Sequence, residues 1–310
     1  MKKSLIYFAM AFFVALGNVA CSSDDSSDNN DNKGNYTKPK YADQATAFTI
    51  NEGAVRQTIT VDGEEKPVDL RSVYFTDAGK AIFEVNIDKK VKYVTYDVTI
   101  EGNTYTIKKG SLVQGTISRT ESRAGGATLV FHFEINVPGY GVFRFDTDTP
   151  VSVVELAVSI AGGDICSTWY VERTKLTLDF DTKTDASTEV NSGKLHEFLT
   201  LAKNNGVKLS EQDEEELNKE IVSFTLNNFS LFSIEYKDGN SDAATWSWEG
   251  TSHDKLKIYL KDLDEMGNKF LNNSSVIEVK YPGDNKIVLK LTTRLEEDAC
   301  TAVLTVNLRE

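Results

Sequence analysis

Cysteine and histidine are scarce in this 310-residue chain, with three of each. Such a set is too small and too scattered for a zinc framework, an iron–sulfur site or a disulfide-stapled mini-protein, so no metal and no cofactor is expected. Positive charge is also short: 34 Lys plus Arg stand against 47 Asp plus Glu, a formal charge of −13. Phosphate backbones and anionic surfaces are repelled by that balance, which excludes nucleic acid as a partner. The chain also lacks the G-x-S-x-G elbow, H-E-x-x-H, G-x-x-x-x-G-K-[ST] and G-x-G-x-x-G motifs. His132, His196 and His253 have no sequence neighbour that would serve as the partner a general base needs. The expected protein is therefore not an enzyme, and no catalytic residue is assigned.

A long hydrophobic run is missing too. Leu5 to Leu16 is apolar and follows Lys2 and Lys3, but a dozen residues are too few to span roughly 30 Å of hydrocarbon as a helix. With Gly17-Asn18-Val19-Ala20 before Cys21, residues 1–20 read as a secretory signal peptide. Residues 21–46 follow as an acidic, disordered tether, because Ser22 to Gly34 has nothing apolar to bury. Small residues before a cysteine resemble bacterial lipoproteins, a likeness that implies acyl chains on Cys21 and attachment to a membrane. Ser22, Ser23, Asp24 and Asp25 resemble the acidic export signal of surface lipoproteins of the Bacteroidetes. That resemblance implies an outer-membrane, lipid-anchored protein at the cell surface.

What is abundant is short alternating segments of Val, Ile, Thr, Tyr and Phe, within a composition 40% hydrophobic and 26% charged that can bury a full core. The expected fold class is all-β, with two antiparallel domains. In the first, 47–162, strands are predicted at 55–62, 69–76, 80–86, 93–100, 104–108, 112–119, 128–136, 141–146 and 151–160. Glycine-bearing turns such as Asp77-Ala78-Gly79 and Glu101-Gly102-Asn103 separate them. The boundary is drawn at Gly162-Gly163. In the second domain, 163–310, eight strands are predicted at 165–180, 221–226, 229–236, 245–249, 256–260, 276–281, 286–295 and 299–308. Eight sequential antiparallel strands suit an up-and-down barrel, which removes exposed sheet edges. Between the first two lies a helical insertion, 181–220, with Leu195, Phe198, Leu199 and Ala202 on one face. Ser210 and Asp213 have the spacing of a cap for a second helix. The insertion is either a lid over a barrel mouth or a plug that buries its own apolar face.

Ser167-Thr168-Trp169 opening the first of the eight strands, with Arg309 closing the last, resembles lipocalin-like domains of bacterial lipoproteins. The likeness implies a structural plug in which Trp169 fills the closed end and Arg309 packs across it. Phe75-Thr76 with Phe83 parallels Phe224-Thr225 with Phe232, a spacing that a diverged tandem would give and that unrelated strands also share. Trp246 and Trp248, two apart on one strand face, with Tyr236 and Tyr259 nearby, are the candidate ligand-binding residues, because aromatic walls bind sugars or apolar ligands. The alternative for the tryptophan pair is barrel core. Cys166 and Cys300 fall at opposite ends of neighbouring strands and are expected as buried free thiols.

Two functions remain open. One is a membrane-tethered, non-catalytic binding module for a small apolar or aromatic-stacking ligand or a glycan. The other is a structural or accessory subunit of a surface uptake or adhesion assembly, with filled barrels and surface-assembly proteins as partners.

Overall fold

The computed structural model describes Tyr41, Glu214 and residues 43–61, 63–88, 90–121, 126–157, 165–209, 217–259, 275–283, 285–295 and 298–310. The signal peptide, Cys21, Ser22 to Asp25 and nearly all of the tether lie outside the described residues. The described chain divides into two compact units, Lys38–Thr168 with Phe224–Ala243, and Trp169–Ser223 with Ala244–Glu310.

Ten strands occupy the N-terminal stretch of the first unit: β1 Thr46–Ile50, β2 Arg56–Val61, β3 Glu64–Phe75, β4 Lys80–Ile87, β5 Lys90–Glu101, β6 Thr104–Lys109, β7 Leu112–Glu121, β8 Ala127–Val137, β9 Gly141–Asp146 and β10 Val151–Leu156. Their alternation is visible in β8, where Leu129, Phe131, Phe133, Ile135 and Val137 are buried while His132, Glu134 and Asn136 are exposed. Antiparallel pairs run from β3 through β8 in order, then β8 to β10, β10 to β1 and β1 back to β3. This circuit is a closed ring of eight strands, with β2 added as a hairpin on β3 and β9 as a hairpin on β8. The sequence reading placed such a ring only in the C-terminal half. It also omitted β1, which is buried on both faces and so shows no period of two: Phe48 and Ile50 face the ring's core, while Ala47 belongs to a second cluster with Tyr74, Ile82, Tyr93, Phe229 and Leu231.

The ring is filled. Phe83 stacks on Phe133 at 4.9 Å and Phe133 on Phe145 at 5.3 Å, within the usual range of aromatic pairs, and Phe75 lies parallel to Tyr105 at 3.8 Å. One glycine is obligatory for this packing. Gly115 has φ +143°, and a Cβ there would sit 2.1 Å from the carbonyl oxygen of His132, so β7 approaches β8 only without a side chain.

The remaining strands are β11 Thr168–Phe180, β12 Ala186–Val190, β13 Ile221–Leu226, β14 Leu231–Tyr236, β15 Ser241–Trp248, β16 Lys255–Tyr259, β17 Ser275–Gly283, β18 Lys286–Leu295 and β19 Cys300–Arg309. β15 to β19 form an antiparallel meander, and β19 pairs along the length of β11. β11 also pairs with β13, so the second unit runs β13, β11, β19, β18, β17, β16, β15 in antiparallel order, as expected of an up-and-down arrangement, while β14 belongs to the first unit. The insertion after β11 is not helical throughout: it first forms β12, a hairpin partner of β11 with Ala186 opposite Leu178. Helix α1, His196–Asn204, follows, with Phe198, Leu199 and Ala202 buried. Glu214 and Leu217 are helical, and the rest of the expected second helix lies outside the described residues. Among the described residues, no helix is long and apolar enough to cross a membrane.

Candidate functional site

Within β15, Trp246 and Trp248 are opposite Ile258 and Leu256 of β16 and share one face, as their spacing of two requires. Their rings meet edge to face, 5.6 Å apart at 88°. Trp246 is buried, and Trp248 is half-buried beneath His253, whose ring stacks on it at 4.7 Å and 13°. His253 adopts φ +57°, a left-handed conformation, and its carbonyl accepts a hydrogen bond from the Tyr281 hydroxyl at 3.4 Å. The pair is therefore not an open wall: Trp246 packs inside and one face of Trp248 is already covered. Trp248 Nε1 is buried without a hydrogen-bond acceptor. Tyr236 is buried in the first unit, and its hydroxyl donates to Asp242 Oδ2 at 2.9 Å. Tyr259 pairs with Thr245 through the backbone, and its side chain lies outside the described residues.

Trp169 is fully buried, but Arg309 does not pack across it. In the β11–β19 register Arg309 is opposite Tyr170, not Trp169, and a shift of one residue reverses the face on which a side chain lies. β19 alternates inward through Leu308, so Arg309 points outward, 64% exposed, with its Nε 3.5 Å from Glu172 Oε1.

That contact marks a cleft that the sequence did not announce. The β11–β19 register slips between Val171 and Arg173, leaving Glu172 as an extra residue in a β-bulge, a device that re-aims a side chain. Its carboxylate lies between Lys286 Nζ at 3.8 Å and Arg309 Nε, while Arg173 pairs with Glu189 at 3.2 Å. The cleft has a volume of about 470 Å³ and is lined by Glu172, Arg173, Asn191, Pro282, Lys286 and Asn307. Carboxylate, ammonium, guanidinium and two amides present acceptors and donors together, the complement of a polyhydroxylated ligand. Tyr170, 47% exposed, lies two residues before Glu172 on the same strand.

Cys166, Cys300 and Asp77 are structural in character. Cys166 and Cys300 are buried free thiols; burial pushes both up, Cys300 to about 11, which keeps them protonated and unreactive. Asp77, 4% exposed, is pushed up to about 6 by burial, and its Oδ1 has no hydrogen-bond partner. Among the described residues no three His, Cys, Asp or Glu side chains cluster as metal ligands.

No protein-family model and no curated protein matches the chain. Among solved structures it is similar to a double mutant of the vaccine antigen transferrin binding protein B from Haemophilus parasuis Hp5, at 7% identity and a TM-score of 0.23, over 86% of this chain and 74% of that one. Intact Ap-TbpB, with its N and C lobes, gives 7% identity and a TM-score of 0.22 over 83% and 67% of the two chains. A single mutant of the Hp5 protein gives 6% and 0.23 over 86% and 74%.

Proposed function

We propose that this chain is a non-catalytic glycan-binding lipoprotein, held in the outer membrane of a Bacteroidetes-type cell by acyl chains on Cys21 and displayed at the surface by Ser22 to Asp25. The observation that carries the ligand class is the Glu172 cleft, where a bulged carboxylate is flanked by cations and by the amides of Asn191 and Asn307. Sugar hydroxyls donate to a carboxylate and accept from ammonium, guanidinium and amide groups, and a cleft open to solvent admits a chain. An apolar ligand inside the first ring is disfavoured, because the Phe83, Phe133 and Phe145 stack occupies that space. The same filled ring favours a second reading, an accessory subunit of a surface uptake or adhesion assembly, with surface-assembly proteins as partners.

Calorimetric titration with neutral hexasaccharides of glucan, xylan and mannan type tests the first reading. Glu172→Gln and Asn307→Ala should each weaken binding at least tenfold. Binding that neither variant changes would remove the cleft from the function.

A further inference from the structure

The first unit carries a bulge with polar groups gathered beside it. In the β6–β7 pair, Ile107 is opposite Gly115 and Lys108 is opposite Val113, so Gln114 is the extra residue on β7. Immediately after it, Gly115 lets β7 close onto β8 at the His132 carbonyl. On the outer face of β8 and β9, His132 is opposite Asp146 and Glu134 is opposite Arg144. A hollow of about 260 Å³ is bounded by Gln114, His132, Glu134, Arg144 and Asp146 with the backbone position of Phe133.

We infer that this face of β7–β9 is a second glycan-binding subsite, with the Glu134 carboxylate accepting from vicinal hydroxyls and Arg144 and Gln114 donating to ring or hydroxyl oxygens.

The groups are placed in advance of any ligand. Asp146 Oδ1 is 2.5 Å from His132 Nδ1, a hydrogen bond that orients the imidazole. The other carboxylate oxygen is 3.6 Å from Arg144 NH2, and the Arg144 side chain is 76% exposed, leaving most of its five donors for a ligand. One cross-strand row away, Val142 is opposite Asn136 and exposed, an apolar surface for the C–H face of a sugar. Bulges recur beside binding sites because the extra residue breaks the alternation that otherwise keeps neighbouring side chains apart. The inference takes its ligand class from the glycan reading of the Glu172 cleft, while its residues and its unit are separate from that cleft.

The test is titration of the lipid-free mature chain with the same glucan, xylan and mannan hexasaccharides, read by stoichiometry and by the imidazole NMR signals. Only three histidines contribute such signals, so His132 is assignable by one substitution. Two sugars per chain are expected, falling to one in Glu134→Gln or Arg144→Ala. His132 should shift in the parent and in Glu172→Gln, but not in Arg144→Ala. Binding of one hexasaccharide per chain with an unmoved His132 signal overturns the subsite and leaves the Glu172 cleft standing. A moving His132 signal with binding indifferent to Glu172→Gln supports the subsite and removes the cleft. No binding of any of the three sugars overturns both.

Discussion

Replacing Asp77 by Asn should flatten a pH dependence of stability that the buried carboxyl builds in. Asp77 sits in the β3–β4 turn at 4% exposure, with Oδ1 buried and unpartnered. Burial is the largest influence on it, only partly offset by hydrogen bonds from the backbone N–H groups of Asp77 and Ala78, so the acid rises from 3.8 to about 6. Because the folded value is raised, the ionised form is the one the fold disfavours. The cost is absent below about pH 3.8, grows as the pH climbs to 6, and is complete above it. At about 1.4 kcal/mol per pH unit, ionised Asp77 costs the fold about 3 kcal/mol at pH 8. Asn removes the ionisation but leaves a buried amide in place of the unpartnered oxygen, which costs about 1–3 kcal/mol at every pH. The telling quantity is therefore the difference between the two proteins as a function of pH. Urea unfolding from pH 3.5 to 8 should show Asp77→Asn gaining about 3 kcal/mol on the parent between the two extremes, with the change centred near pH 5. A difference that stays constant across that range would refute the assignment of a buried, ionising carboxylate.

Cys21→Ala should release the protein from the membrane fraction while far-ultraviolet circular dichroism stays that of the parent; continued labelling of the variant by a fatty-acid analogue would contradict the anchor. Gly115→Ala places a methyl 2.1 Å from the His132 carbonyl oxygen at φ +143°, and thermal unfolding should show a loss of about 3 kcal/mol or more, as overpacking and backbone strain combine. Arg309→Ala should cost less than about 1 kcal/mol in denaturant, because its ion pair with Glu172 is exposed; a loss of several would restore the plug. Replacing 184–216 by a Gly-Ser linker should destabilise by on the order of 5 kcal/mol through lost burial of Leu195, Phe198, Leu199 and Ala202, whereas a loosely held lid would leave the melting temperature unchanged.

Strand positions were legible in the sequence because alternation is a local property. The segments 141–146 and 286–295 coincide with β9 and β18, each with one face buried and one face wetter. Where both faces are covered the signal vanishes, and β1 went unread for that reason. β12 was hidden differently: Ala186–Val190 is a short strand of half-buried and exposed residues, with no apolar face to register. The helix face of Phe198, Leu199 and Ala202 was readable because its period of 3.6 is also local.

By itself, then, the sequence determined the all-β class, most strand boundaries and the apolar face of the insertion. Tertiary structure decided what depends on register and closure. The N-terminal half closes into its own ring only because β1 bridges β3 and β10, two strands whose adjacency no local pattern encodes. Arg309 faces solvent because it is paired with Tyr170 and not Trp169, a matter of one residue in the alignment of two strands far apart in the chain. Glu172, Lys286 and Asn307 meet because a single bulged residue in β11 turns a carboxylate toward strands β18 and β19. Side-chain periodicity is written along the chain, but convergence of distant side chains is set by hydrogen-bond register between strands, and that is fixed only when the sheet closes.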